Sequence, residues 1–143
     1  MDLASINIYL GECDRRIGSM QMQVHEKEEQ IEELEEALSD LSSNKSDFID
    51  KKSICQEPEF TSETLYGENA DNVDDFREDV MKKNFVSIPE DQITEAEEAI
   101  EDKIDELREE IESLQSDIQD QEAKRDDYNE QKKELQEKEL AEK

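Results

Sequence analysis

Among its 143 residues the sequence has no tryptophan, only three glycines, two prolines, two cysteines and one histidine, and only 32% of it is apolar. Each shortage excludes something. A compact globule of this length needs more buried side chains than that, so what remains is disorder or long helices that bury a narrow stripe. The length itself allows one domain at most. A lone His25, with no Cys, Ser or Asp constellation at ligand spacing, supports neither a metal site nor a nucleophile, so no catalysis and no cofactor are expected. Cys13 falls on an apolar stripe and Cys55 near a turn, so both read as reduced thiols rather than a disulfide framework. No run approaches the roughly 20 apolar residues that span a bilayer. The start, Met1-Asp2-Leu3-Ala4-Ser5, has no basic n-region or apolar h-region. Synthesis in the cytosol is therefore expected, with later export by a signal-independent route left open.

What the sequence does have is acid. Forty-four Asp and Glu against 17 Lys and Arg give a net charge of −27, which repels phosphates and disfavours nucleic acid or an anionic membrane as partner. Clusters such as Asp71, Asp74, Asp75, Glu78 and Asp79 follow from that abundance. None has the alternating ligands, central Gly and terminal Glu of a calcium loop, so they read as solvated helix faces.

Periodicity decides between disorder and helix. Alternate steps of three and four from Leu3 give Ile6, Leu10, Cys13, Ile17, Met20, Val24, Lys27, Ile31, Leu34, Leu38, Leu41, Lys45 and Phe48, with only the two lysines polar. This is a heptad seam, and it predicts a helix over about 3–50, roughly 70 Å long. Met20 and Met22 sit on or beside the seam and read as filler in the helix interface. His25 lies on the outer side, facing solvent. The stretch from Lys51 to Thr64 contains Pro58 and several Ser and Thr, which breaks the pattern and places the chain reversal there. A weaker run follows, with Tyr66, Val73, Phe76 and Val80 on one stripe. Ser87 with Glu90 forms a capping-box pattern around Pro89, which means a new helix or a kink. A third run, Ile93, Ile100, Ile104, Leu107, Ile111, Leu114 and Ile118, is again heptad. Beyond Ile118 the same positions become Gln121, Arg125, Tyr128, Lys132, Leu135 and Glu139, so the apolar seam stops while helical propensity continues. Tyr128 and Leu135 are isolated apolar residues there, either partner anchors or ordinary surface residues.

The expected fold is all-α: a single domain forming a long antiparallel, coiled-coil-like hairpin. Its first arm covers about 3–50, its turn 51–64, its second arm 65–118 with a kink near Pro89, and a polar helical tail overhangs at 119–143. A parallel homodimer is disfavoured because it would set Lys103 against Arg108 and Asp117 against Glu122. With Phe48 near the start of the second arm, Lys27 would lie opposite Pro89-Glu90-Asp91 and Lys45 opposite Asp71. One hairpin leaves much of the seam exposed, so an oligomer or a hetero-complex with other helices is expected. The candidate core or partner-facing residues are Ile17, Met20, Val24, Ile31, Leu34, Leu38 and Leu41 on the first arm. On the second they are Ile100, Ile104, Leu107, Ile111, Leu114 and Ile118.

The segment Leu65-Tyr66-Gly67-Glu68-Asn69-Ala70 leads the second arm with an aromatic-Gly turn. A helical hairpin with such a turn resembles the WXG-motif superfamily. More closely, the chain resembles the small helical accessory proteins encoded beside LXG-type polymorphic toxins in Gram-positive bacteria, with Leu65, Tyr66, Gly67 and Ala70 at the W-x-G-x-x-A-like turn. The resemblance implies an adaptor or targeting chaperone that binds the helical N-terminal domain of an LXG toxin, with a second small helical protein as a further candidate partner. It would assist delivery to a type VII secretion system, staying cytoplasmic or leaving with its partner without a cleaved signal. The tail carries no Tyr-x-x-x-Asp/Glu signal, since Lys132 stands four residues after Tyr128, so an export signal would come from the partner. The competing readings are a self-associating coiled-coil spacer and a general helical holdase.

Overall fold

A computed structural model describes residues 1–52 and 68–142, and side chains in 1–52 and 71–142. The fold is all-α, with no strand among the described residues. Two long helices, α1 (Leu3–Asp50) and α4 (Thr94–Glu142), are the arms of a helical hairpin. Before α4 come α2 (Glu68–Phe76), a π-helical segment Arg77–Lys82, α3 (Lys83–Ser87) and a second π-helical segment Ile88–Ile93. The chain divides into two compact units: Met1–Glu32 with Asp105–Lys143, and Glu33–Ile104.

The heptad spacing in α1 is realised as burial. Every position of the 3-4 series from Leu3 to Phe48 is buried or half-buried, Lys27 and Lys45 included. At the start of α1, the Ser5 backbone N–H donates to Asp2 Oδ1 at 2.8 Å, satisfying a donor the first turn leaves open. That hydrogen bond holds the Asp2 carboxyl below its ordinary pKa.

In the unit containing both chain ends, the two segments run antiparallel. Tyr9 stacks on Tyr128 with ring centroids 5.3 Å apart, Arg125 Nη1 reaches Asp14 Oδ1 at 3.3 Å, and Lys27 Nζ meets Glu110 Oε2 at 2.7 Å. Ile6, Cys13, Ile17 and Leu107 are its buried apolar residues. The expected overhang is therefore corrected for residues 119–135, while 136–142 stay exposed. The 3-4 series of α4 continues past Ile118 through Gln121, Arg125, Tyr128, Lys132 and Leu135, all half-buried. Long side chains cover the seam with their apolar stems while their polar ends reach water, so the packing persists where the apolar composition lapses.

In the unit Glu33–Ile104, Ser42 Oγ donates to Glu97 Oε2 at 3.1 Å, Lys45 Nζ to Thr94 Oγ1 at 3.0 Å, and Phe48 meets Phe85 edge-on at 5.4 Å. The expected register is thereby overturned: Lys27 faces Glu110 rather than Pro89-Glu90-Asp91, and Lys45 faces Thr94 and Glu97 rather than Asp71. The reason lies in the second arm. Its regular apolar series begins at Ile93, so the α1 seam through Lys45 pairs with that series, and Phe48 meets Phe85 just ahead of it.

Around Pro89 the helix neither stops nor restarts. Ser87 keeps helical dihedrals and its Oγ donates back to the Asn84 carbonyl at 2.7 Å, so it does not cap a following helix. Pro89 lacks an N–H and sits in the first turn of the π-helical segment, whose wider turn re-phases the side chains. Its carbonyl accepts the Thr94 hydroxyl at 3.1 Å, five residues on.

Candidate partner-binding surface

The seam residues have intramolecular neighbours. Ile17, Ile104 and Leu107 are buried; Met20, Val24, Ile31, Leu34, Leu38, Leu41, Ile100, Ile111, Leu114 and Ile118 are half-buried. A half-buried series at this spacing is what a two-helix pairing leaves, since one partner covers only part of each apolar stripe. The rest of each stripe is where a further helix can lie.

Polar residues on the seam carry the register. Lys45 Nζ contacts both Thr94 Oγ1 and Glu97 Oε1, at 3.0 and 3.3 Å, and Thr94 in turn donates to Pro89. This chain of contacts ties α1 to the π-helical turn within one unit. The Lys27–Glu110 pair has the same character in the other unit, with both side chains partly exposed. Contacts of this kind contribute specificity of alignment more than stability.

Apolar side chains outside the seam are more exposed. On α2 and the segment after it, Val73, Phe76, Val80 and Met81 are exposed, Phe76 by 52%. The stripe read at 73, 76 and 80 thus exists but is not buried. On α1, Ile8 and Met22 are exposed. Met22 is therefore not interface filler: its position falls on the outer side of the helix, whereas Met20 lies on the seam and is half-buried. The signal that would have placed Met22 was available, because the 3-4 series from Leu3 passes through 20 and 24 and skips 22.

Of the residues assigned to the aromatic-Gly turn, Leu65, Tyr66 and Gly67 lie outside the described residues, and Ala70 is described only as helical backbone in α2. Tyr128 sits against Tyr9 and Leu135 is half-buried on the same series. His25 is exposed and lies 3.0 Å from Glu29, one turn further along the helix. Cys13 is a buried free thiol; Cys55 lies outside the described residues. Among the described residues, no group of three His, Cys, Asp or Glu is placed to hold a metal ion. No described helix is long and apolar enough to cross a membrane.

A family model described as YwqH-like matches residues 12–130, which takes in most of α1, all of α2 and α3, and α4 as far as the Tyr128 stack. The chain belongs to the YwqH-like family. No curated protein and no solved structure matches it. The family match spans both polar register contacts, Lys27–Glu110 and Lys45–Thr94, together with all thirteen candidate seam residues from Ile17 to Ile118.

Proposed function

We propose that this YwqH-like protein is a non-enzymatic adaptor: a small LXG-associated protein that binds the helical N-terminal domain of an LXG-type toxin and assists its export by a type VII secretion system. The observation that carries the reading is the family match over 12–130, laid on a fold whose paired helices keep half-buried apolar stripes. The chemistry is burial. A helix of the toxin domain lies along the stripe and completes a bundle that two helices leave incomplete. No bond is made or broken, and no cofactor takes part. The adaptor works in the cytoplasm, and the export signal resides on the partner.

The test is affinity purification of the tagged chain from its host, followed by rebinding of purified components. The expected result is recovery of an LXG-type protein whose isolated helical N-terminal domain binds the purified chain. Failure to recover such a protein, with no binding of the domain of the neighbouring toxin, overturns the reading. Substitutions such as Leu38→Glu and Ile111→Glu weaken that binding if the stripe is the contact.

A further inference from the structure

The outer side of α1 carries a second 3-4 series that the hairpin does not use. It runs Ala4, Ile8, Gly11, Arg15, Gly18 and Met22, with Met1 just ahead of the helix in the same spacing, and every member is exposed. Met1, Ile8 and Met22 are 68%, 60% and 65% exposed. In a chain with 44 acidic residues this series contains none. The same side of α1 beyond it reads His25, Glu29, Glu32, Glu36, Ser39 and Ser43, polar throughout. The apolar outer series is therefore confined to the first six turns.

Two glycines in the middle of an exposed helix need a reason, because glycine is the poorest helix former after proline. Space within the chain supplies none: a Cβ added at Gly11 or Gly18 would meet nothing within 4 Å. Small residues on a helix surface let a second backbone approach closely, and here Ala4, Gly11 and Gly18 alternate with the bulkier Met1, Ile8, Arg15 and Met22.

Charge and symmetry identify what approaches. Over residues 1–25, Asp2, Glu12 and Asp14 stand against Arg15 and Arg16, so this stretch is nearly neutral in a chain of net charge −27. A basic partner has stronger attraction elsewhere on the surface; this is the face on which a second, equally acidic chain meets least repulsion. The series is also its own mirror under reversal. Two antiparallel copies centred near Gly11 set Met1 against Met22, Ala4 against Gly18, Ile8 against Arg15 and Gly11 against Gly11. Bulky layers then meet bulky layers and small layers meet small ones. A parallel pair would instead oppose Arg15 with Arg15. In the antiparallel pair the Arg15 stem lies on Ile8 and its guanidinium reaches water.

We infer that the Met1–Met22 face of α1 is a homodimer interface, in which two copies of this chain pair antiparallel about a twofold axis near Gly11. An isologous contact of this kind closes on itself and leaves the half-buried stripes of each copy for other helices. The inference stands apart from the toxin-binding reading, since either can hold without the other.

Sedimentation equilibrium of the full chain over a range of concentrations tests it, with circular dichroism to follow folding. The wild type is expected to form a reversible dimer. Ile8→Glu is expected to weaken it by about tenfold or more, about 1.4 kcal/mol. Gly11→Leu, which has open space in the single chain, is expected to abolish the dimer while helix content is retained. Orientation is read by oxidation in a Cys13→Ser, Cys55→Ser background. Gly11→Cys is expected to form a covalent dimer and Ile8→Cys alone is not. A monomeric wild type overturns the inference, as does a dimer that neither substitution weakens. Equal crosslinking at positions 8 and 11 overturns the antiparallel arrangement.

Discussion

The unit formed by Met1–Glu32 and Asp105–Lys143 and the unit formed by Glu33–Ile104 use the same 3-4 spacing on α1 but meet different partners. In the first, α1 pairs with a regular α-helix, and the series on both sides alternates three and four without interruption. In the second, its contacts fall on Phe85, Thr94 and Glu97, a stretch interrupted by the π-helical segment Ile88–Ile93. There Phe85 reaches Phe48, and Pro89 and Ile93 are buried, while Val73, Phe76, Val80 and Met81 are not. Regular spacing gives continuous burial even where the residues turn polar. A π-turn moves the stripe around the helix, so apolar residues on one side of it need not share a face with those on the other. That difference leaves Val73, Phe76, Val80 and Met81 off the seam.

The largest effect is expected from emptying a seam layer in the regular unit. Leu107→Ala removes a buried side chain and is expected to cost about 2–5 kcal/mol in urea denaturation, whereas Val73→Ala, on the exposed stripe, should stay within about 0.5 kcal/mol. Equal costs would mean the α2 stripe is as packed as the seam. Thr94→Val comes next. It removes the hydroxyl that links Lys45 to the Pro89 carbonyl and is expected to cost about 1–2 kcal/mol. Amide exchange should quicken around residues 85–97 and stay unchanged around residues 10–25; a uniform change would deny that the contact is local.

Lys27→Met should change stability by less than about 1 kcal/mol in either direction, because the Lys27–Glu110 pair is partly exposed and its desolvation offsets its attraction. A loss of several kcal/mol would show that the pair carries the fold and not merely its alignment. The smallest effect concerns the first turn of α1. The folded-state pKa of Asp2 lies below its ordinary value, so the contribution of its ionised form is present above the unfolded value and lost as pH falls through the folded one. Protection of the Ser5 amide, its exchange rate set against the intrinsic rate at each pH, should fall in acid, and Asp2→Ala should abolish that pH dependence. Persistence of the pH step in Asp2→Ala would assign it to another group.

Much of this was legible in the sequence. The series from Leu3 to Phe48 and from Ile93 to Ile118 needs only the 3.6-residue turn to become two buried stripes, and the structure buries or half-buries each position of the first. Register was not legible. It depends on which stretch of the second arm offers a matching stripe: setting Phe48 at the start of that arm takes the weak stripe near Val73 for the partner, whereas the match starts near Ile93. The packing of the tail was hidden for a related reason: Gln121, Arg125 and Lys132 look like solvent residues until their position in the series is weighed above their polarity. The capping-box pattern at Ser87 misleads because the same hydroxyl can bond back to Asn84, and sequence does not distinguish the two acceptors. The outer series on α1 is obscured because Gly11, Arg15 and Gly18 interrupt its apolar run.

The proposed adaptor role requires that apolar helix surface of this chain be buried against a helical toxin domain. Isothermal titration of the purified chain with the purified helical N-terminal domain of an LXG-type toxin from its host, repeated across temperatures, tests that. Saturable binding with a negative heat-capacity change, the mark of apolar surface leaving water, is expected, with loss of both in Leu38→Glu. Absence of binding, or binding with no heat-capacity change that survives Leu38→Glu, would contradict it.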